Sequence, residues 1–421
     1  MSKRNRVVVT SALTSLYVGF LALSAMTGVL LVGGCSKKRS HSSSQAMPGI
    51  TATDIKIGQT MPYSGPASGF STIGKADRAY FKMINENGGI NGRKINLISL
   101  DDSYSPPRTM EQTRKLIEDE GVAFVYGSVG TAPNTAVQRY LNDKKVPQLF
   151  IVSGADKWAD PAHFPWTIGW QPSFRTEARI YARYLLKEKP AAKICVIYQN
   201  DDLGKDYLVG LRDILGDQYD KMVLKTASYE VADPTVDSQV LTLQAAGCDT
   251  LITAAIPRFA AQIIRKVFDT GWKPFHIMSN VAVSITTGQK PVELDKAAGI
   301  ITGVFLKDPS DPRLANDPGM NDYRAFMKQY LPEVDPTDAN AIFAYGMSMT
   351  LVSVLTKCGN DLSRENIMKQ AASLTKFVVP VATPGTEITT SATDFRVLSQ
   401  LQLARLHGAT FEPFGDVLSG D

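Results

Sequence analysis

The chain has 421 residues and a formal charge of +4. The first 39 residues hold six basic residues and no acid, so the remainder carries −2, which removes the electrostatic case for nucleic-acid binding. GxGxxG after the first strand, GxxxxGK[ST], HExxH and GxSxG are missing, and His41, His163, His276 and His407 lie far apart, so no cofactor, metal or catalytic constellation is expected.

In chain order, Lys3, Arg4 and Arg6 precede an uncharged run from Val7 to Gly34, followed directly by Cys35. A basic start, an apolar stretch and small residues make a secretory signal. The cysteine after Val32-Gly33-Gly34 makes it resemble a bacterial lipobox, in which Cys35 is diacylated and becomes the new N-terminus. Two or three acyl chains hold a protein to a membrane far better than one. The alternative is an uncleaved anchor, because 28 residues also suffice to span a bilayer. Either way the folded part is expected outside the cytoplasm, at the periplasm or cell surface. Residues 36–51 begin rich in Ser and Lys and read as a flexible tether.

From Thr51 onward about 370 residues remain, which suits two lobes. Short apolar strands alternate with amphipathic helices. Strands are expected at Ile55–Thr60, Lys94–Asp101, Ala123–Tyr126 and Pro147–Val152, with helices ending near Asn87 and over Pro107–Glu120 and Ala132–Asn142. The pattern restarts with helices at Ser173–Lys187, Gly204–Leu215, Val236–Ala246 and Arg258–Thr270. Its strands are Lys193–Gln199, Met222–Tyr229, Thr250–Ala255, Pro274–Ser279 and Ile300–Leu306. Helices follow at Asp322–Tyr330 and Ala339–Lys357, then a β-branched, turn-rich end from Val378 to Phe414. The fold class is therefore α/β, with two doubly wound parallel-sheet lobes. The first lobe is expected to comprise 52–168 and about 307–380, the second 169–306 and about 381–421. Crossings near Thr167–Gln171, Thr302–Asp308 and Pro380–Gly385 make a hinge. Cys195 lies inside the apolar run Ile194–Ile197, which favours a buried free thiol over one disulfide among Cys195, Cys248 and Cys358.

Ligands in open α/β sheets sit outside the carboxyl ends of the strands. Tyr126-Gly127-Ser128-Val129-Gly130-Thr131 joins a strand to a helix, where glycines and free N–H groups can cradle a carboxylate or phosphate. An ordinary tight turn is the alternative. Ser153-Gly154-Ala155 repeats this chemistry after the next strand. Tyr63 and Ser64 follow the first strand. Asp102 reads as a helix cap, with Tyr104 as an aromatic wall. Asn200, Ile256 and Asn280 occupy strand ends in the second half.

Ile55-Lys56-Ile57-Gly58, Ser64-Gly65-Pro66, Gly88-Gly89-Ile90-Asn91-Gly92 and Asp101-Asp102 occur in the order found in type I solute-binding proteins of the leucine/isoleucine/valine-binding-protein-like family. Gly127-Ser128, Val146-Pro147, Ser153-Gly154-Ala155 and Gln199 to Tyr207 continue the resemblance over roughly residues 54–410. It implies a clamshell that delivers a small-molecule solute to ABC permease subunits. It places a ligand carboxylate on Ser128 and Ser153-Gly154-Ala155. The acids that hold an ammonium in the family's amino-acid binders fall where this chain has Trp170-Gln171 and Asn280-Val281. An ammonium in a dry cleft needs a carboxylate partner, so an aromatic or aliphatic acid without an α-amino group is expected. Trp170, Tyr63 and Tyr104 would form its apolar wall. The rival readings are an amino-acid or amide binder of the same family, a ligand sensor for a membrane partner, and an exported enzyme.

Overall fold

The computed structural model describes residues 47–286 and 292–421. The expected lipidation at Cys35 and most of the tether lie outside these residues. The first half runs β1 (Asp54–Met61), α1 (Ser71–Glu86), β2 (Lys94–Asp101), α2 (Pro106–Arg114), β3 (Val125–Tyr126), α3 (Thr131–Asp143), β4 (Gln148–Ile151) and β5 (Thr167–Gly169). Its strands are all parallel, in the order β2-β1-β3-β4-β5. Then come α4 (Phe174–Glu188), β6 (Ile194–Gln199), α5 (Asp202–Leu215), α6 (Tyr219–Met222), β7 (Val223–Tyr229) and α7 (Asp237–Ala245). The second half continues with β8 (Thr250–Ala254), α8 (Pro257–Asp269), β9 (Phe275–Met278), α9 (Leu294–Ala297) and β10 (Ile301–Val304). These strands are also parallel, ordered β7-β6-β8-β9-β10. The second sheet thus repeats the winding of the first. In each, the order reverses beside the first strand, and ligand sites of such sheets lie at that switch point.

Burial accounts for the apolar runs. Ile194, Cys195, Val196 and Ile197 are all fully buried, as expected of a strand covered on both faces. Three helices follow the second half: α10 (Pro318–Tyr330), α11 (Ala339–Cys358) and α12 (Arg364–Ala371). Although α11 is long and apolar enough to cross a membrane, most of it is buried inside the protein. A helix apolar all round belongs in a core. It packs against α1, where Tyr80 meets Tyr345 edge-on at 5.2 Å. Arg364 of α12 donates to Ala123 O at 2.8 Å, which seats that helix beside the first sheet.

Several expectations need correction. The turn-rich end forms a hairpin of β11 (Gln400–His407) and β12 (Thr410–Ser419), which pairs antiparallel with β10. The second sheet is therefore mixed. Thr167–Gly169 is a short strand before it is a crossing. Residues 47–51 are docked rather than tethering. Ile50 bridges Ile55, and Lys56 N–H donates to Gly49 O at 2.7 Å. Gly49 has φ of +73° and lies so close to the Ala123 amide that a Cβ would stand 2.3 Å from it. Cys195 and Cys248 form a disulfide, leaving Cys358 as a buried free thiol. The pairing follows from β6 and β8 being neighbours in space, which brings the two Cα atoms to 5.8 Å.

The chain crosses between the sheets in three adjacent segments. Trp170-Gln171-Pro172 follows β5. Phe305–Lys307 follows β10 and pairs with Val381–Thr383: Lys307 N–H donates to Val381 O at 2.9 Å, and Thr383 N–H to Phe305 O at 3.0 Å. Trp170 packs edge-on against Phe305 at 5.9 Å.

Candidate functional site

One cleft is lined from both halves and from the crossings. Its walls enclose about 1000 Å³ of space, part of it open to solvent. Phe70, Ile73, Val129, Val152, Phe174, Leu203, Ile256, Val281, Ile342, Phe343 and Phe411 make it mainly apolar. Two charged residues line it among those described, and both are engaged elsewhere. Lys307 Nζ donates to Asp317 and to Pro380 O, each at 2.8 Å. Asp308 accepts from the Ser310 N–H and O–H through one oxygen and from Phe411 N–H through the other.

On the first-half side, the β3–α3 loop turns on Gly127 (φ +60°) and Gly130 (φ +106°). A Cβ on Gly130 would meet the Tyr104 ring at 2.4 Å, so glycine is required twice over. Asn134 Nδ2 closes the loop by donating to Ser128 O and Gly130 O. Ser153 Oγ accepts from Trp158 Nε1 at 3.1 Å and from Ala155 N–H at 3.3 Å, which uses both lone pairs. Its own proton must then go to Thr131 Oγ1, 2.8 Å away. The Thr131 hydroxyl proton is left without an acceptor in the described chain, at the N-terminus of α3, in the cleft wall. That is a directed donor beside a positive helix end, suited to an oxyanion.

Beneath this loop, Gln59 Nε2 donates to Gly127 O and to Asp77 Oδ2. Ser348 of α11 and Tyr126 also donate to Asp77. Burial pushes the Asp77 carboxyl up to about 7, against the three hydrogen bonds that favour its ionised form. The group ties α1, the loop and α11 together.

On the second-half side the wall carries two neutral amides. Gln171 Nε2 and Asn280 Nδ2 are buried and bonded to nothing in the described chain. An unmet buried donor costs about 1–3 kcal/mol, so both amides are suited to donate to an acceptor in the cleft. Behind Asn280 lies Glu177, whose Oε1 accepts the Asn280 N–H at 2.7 Å and the Tyr181 hydroxyl. Tyr181 in turn accepts Gly303 N–H at 2.6 Å. Burial pushes the Glu177 carboxyl up to about 7, offset by the bonds from Tyr181 and Asn280, while its Oε2 is buried without a hydrogen-bond partner in the described chain. This pair on α4 pins the cleft wall from behind.

Of the residues expected at a site, Tyr104, Val129, Ser153, Gln171, Ile256 and Asn280 line the cleft together. Tyr104 also touches the other half, accepting a long contact of 3.4 Å from Gln199. The others do not line it. Tyr63 bonds Ser99 at 2.7 Å and lies under Arg78. Ser64 is exposed and donates to Asp101. Ser128 is turned inward, where its hydroxyl accepts Thr60 N–H at 3.0 Å. Gly154 is needed because Pro172 O would stand 2.6 Å from a Cβ, a packing reason. Ala155 is buried behind Ser153, its N–H spent on the Ser153 hydroxyl. Trp170 is fully buried and donates to Thr350 at 3.0 Å. Asn200 is exposed, bonded to Glu230. Asp102 is no helix cap. Its carboxylate accepts Tyr104 N–H and the Thr109 hydroxyl, which holds Tyr104 at φ of +60°.

Thr131 was expected only as the end of the cradle loop, its hydroxyl not singled out, and Phe174, Leu203 and the crossing residues 303–309 were not expected to line a site. Thr131 was within reach as the first helical residue after the Gly127–Gly130 turn. The crossing residues were not, because nothing local shows which side of a hinge faces a cleft.

The chain matches the periplasmic binding protein family over residues 54–410. It is 25% identical over 331 residues to Leu/Ile/Val-binding protein homolog 1 of Brucella suis biovar 1 (strain 1330), covering 76% of this chain and 83% of that one. It shares its fold with a branched-chain amino acid ABC transporter protein from Thermus thermophilus with bound valine (TM-score 0.74, 14% identity, 88% and 97% of the two chains). A solute-binding protein of an ABC transporter from Rhodopseudomonas palustris BisB5, in complex with 3,4-dihydroxybenzoic acid, is similarly close (TM-score 0.72, 15% identity, 87% and 98%). Two like-wound lobes, three adjacent crossings and a cleft between them agree with this match: the chain belongs to the type I periplasmic binding proteins of the leucine/isoleucine/valine-binding-protein-like family, which bind small solutes outside the cytoplasm for ABC transport.

Proposed function

We propose that this protein is the solute-binding subunit of an ABC importer whose solute is a small, largely apolar carboxylate, aromatic or aliphatic, without an α-amino group. One observation carries the reading. The cleft wall carries an unspent hydroxyl at Thr131 and unspent amides at Gln171 and Asn280, while its one acid among the described residues, Asp308, already accepts three hydrogen bonds, from the N–H and O–H of Ser310 and from the Phe411 N–H. An ammonium needs an unspent carboxylate in such a site. The aromatic acid bound by the Rhodopseudomonas protein supports the reading. Calorimetric titration of Thr131→Val with hexanoate tests it. The substitution keeps the shape and removes the donor, so affinity is expected to fall about tenfold or more. Unchanged affinity would contradict the assigned role.

A second reading, an amino-acid binder, rests on Glu177. It lies directly behind Asn280 and would meet an ammonium if the Asn280 side chain turned aside.

We place the protein outside the cytoplasm, held through an acylated Cys35. The disulfide supports an oxidising compartment. Mass spectrometry of the mature N-terminal peptide is expected to show Cys35 first and acylated. An unmodified peptide running through Cys35 would contradict this.

A further inference from the structure

A second cavity opens between the halves beside the first. One wall is the turn Gly65–Phe70. The other is the start of α8 with Ile256 before it. Phe70 and Ile256 line both cavities, so the two spaces adjoin at these side chains. Arg258, Ala261, Gln262 and Arg265 stand at i, i+3, i+4 and i+7 and form one stripe of α8 along this space. Packing in the core is supplied by Phe259, Ile263, Ile264 and Val267, while the polar side chains of the stripe reach Glu293 and the turn at Asp233 and Pro234. The two arginines differ in state. Arg265 is paired with Glu293 at 2.9 Å. Arg258 lies over the Phe259 ring at 5.0 Å and reaches the carbonyl oxygens of Asp233 and Pro234, each at 3.4 Å, and it pairs with no carboxylate among the described residues. Among the described residues, no acidic side chain lines this cavity.

We propose that this vestibule is a second anion subsite, in which Arg258 receives a carboxylate at the far end of a two-ended solute whose near carboxylate sits on Thr131. The inference rests on the reading of the solute as a carboxylate and narrows it to α,ω-dicarboxylates. A guanidinium offers two parallel N–H donors to a carboxylate, so it recognises that group by shape as well as charge. The apolar inner wall between the two ends takes the connecting chain or ring.

The test is calorimetric titration of the full-length protein with matched acids: hexanoate against adipate, and octanoate against suberate. In at least one pair the dicarboxylate is expected to bind about tenfold or more tightly than its monocarboxylate, the effect of a charge-assisted contact. In Arg258→Gln that ratio is expected to fall to near one, with far-ultraviolet circular dichroism reporting that the variant is folded. Equal affinities within both pairs, or a ratio that survives in Arg258→Gln, would overturn the second subsite alone. Failure of all four acids to bind the unmodified protein would overturn it, and failure of phenylacetate as well would overturn the carboxylate reading with it.

Discussion

Trp170→Ala is expected to destabilise the protein by about 3–5 kcal/mol, the range for emptying a large, fully enclosed aromatic site. The side chain has no exposed surface. It packs edge-on against Phe343 at 5.0 Å and Phe305 at 5.9 Å. A Cβ on Gly346 of α11 would stand 3.1 Å from its ring. The indole N–H donates to Thr350, so truncation also leaves that buried hydroxyl without its donor. The cavity would open at the first crossing, next to the second. Phe305 and Phe343 both line the cleft, so solute affinity is expected to fall with stability. Urea unfolding measures the first effect and titration of the folded variant the second. A loss of stability below about 1 kcal/mol would mean that the crossings do not depend on this contact.

The second large effect is expected from the disulfide. Cys195 and Cys248 are 53 residues apart in sequence. In the chain-entropy account, closing a loop of that size restricts the unfolded state by about 4 kcal/mol. The bridge ties β6, a central strand, to the turn that enters β8, and the loop it closes contains α5, α6, β7 and α7. Cys195→Ala with Cys248→Ala should therefore lower the free energy of unfolding by that order. Reductant should shift the unmodified protein in the same direction and leave the double variant unmoved. An unchanged urea midpoint in the double variant would show that the folded state does not hold this bond. Cys358 stays a thiol, and burial pushes its pKa up to about 12.

The alternation of strands and helices was legible because each element carries its own period. Helix starts were legible for the same local reason. Ser173, Asp201 and Asp338 each accept an N–H from two or three residues on. The cradle loop was legible from its two glycines, and Ser153 from its place at a strand end. What failed was orientation. Ser128 and Ser153 look alike in sequence, yet one hydroxyl accepts a sheet amide and the other faces Thr131. Tyr63 and Tyr104 both follow strands. Asp102 bends the chain at Tyr104 into the cleft, while Ser99 holds Tyr63 away from it. The partnership of Cys195 and Cys248 was hidden because it depends on which strands are neighbours. The same holds for Phe411, which a hairpin far along the chain brings to the cleft wall.

The cleft is proposed to hold an anion by neutral donors, its one acid among the described residues, Asp308, being engaged by Ser310 and Phe411. Titration of the unmodified protein with hexanoate and phenylacetate, against leucine and valine under the same conditions, tests it most directly. Micromolar binding of at least one acid, about 8 kcal/mol of binding free energy, is expected, with both amino acids about a hundredfold weaker or more for want of an ammonium partner. Micromolar binding of leucine or valine with no response to either acid would contradict the claim and point to Glu177.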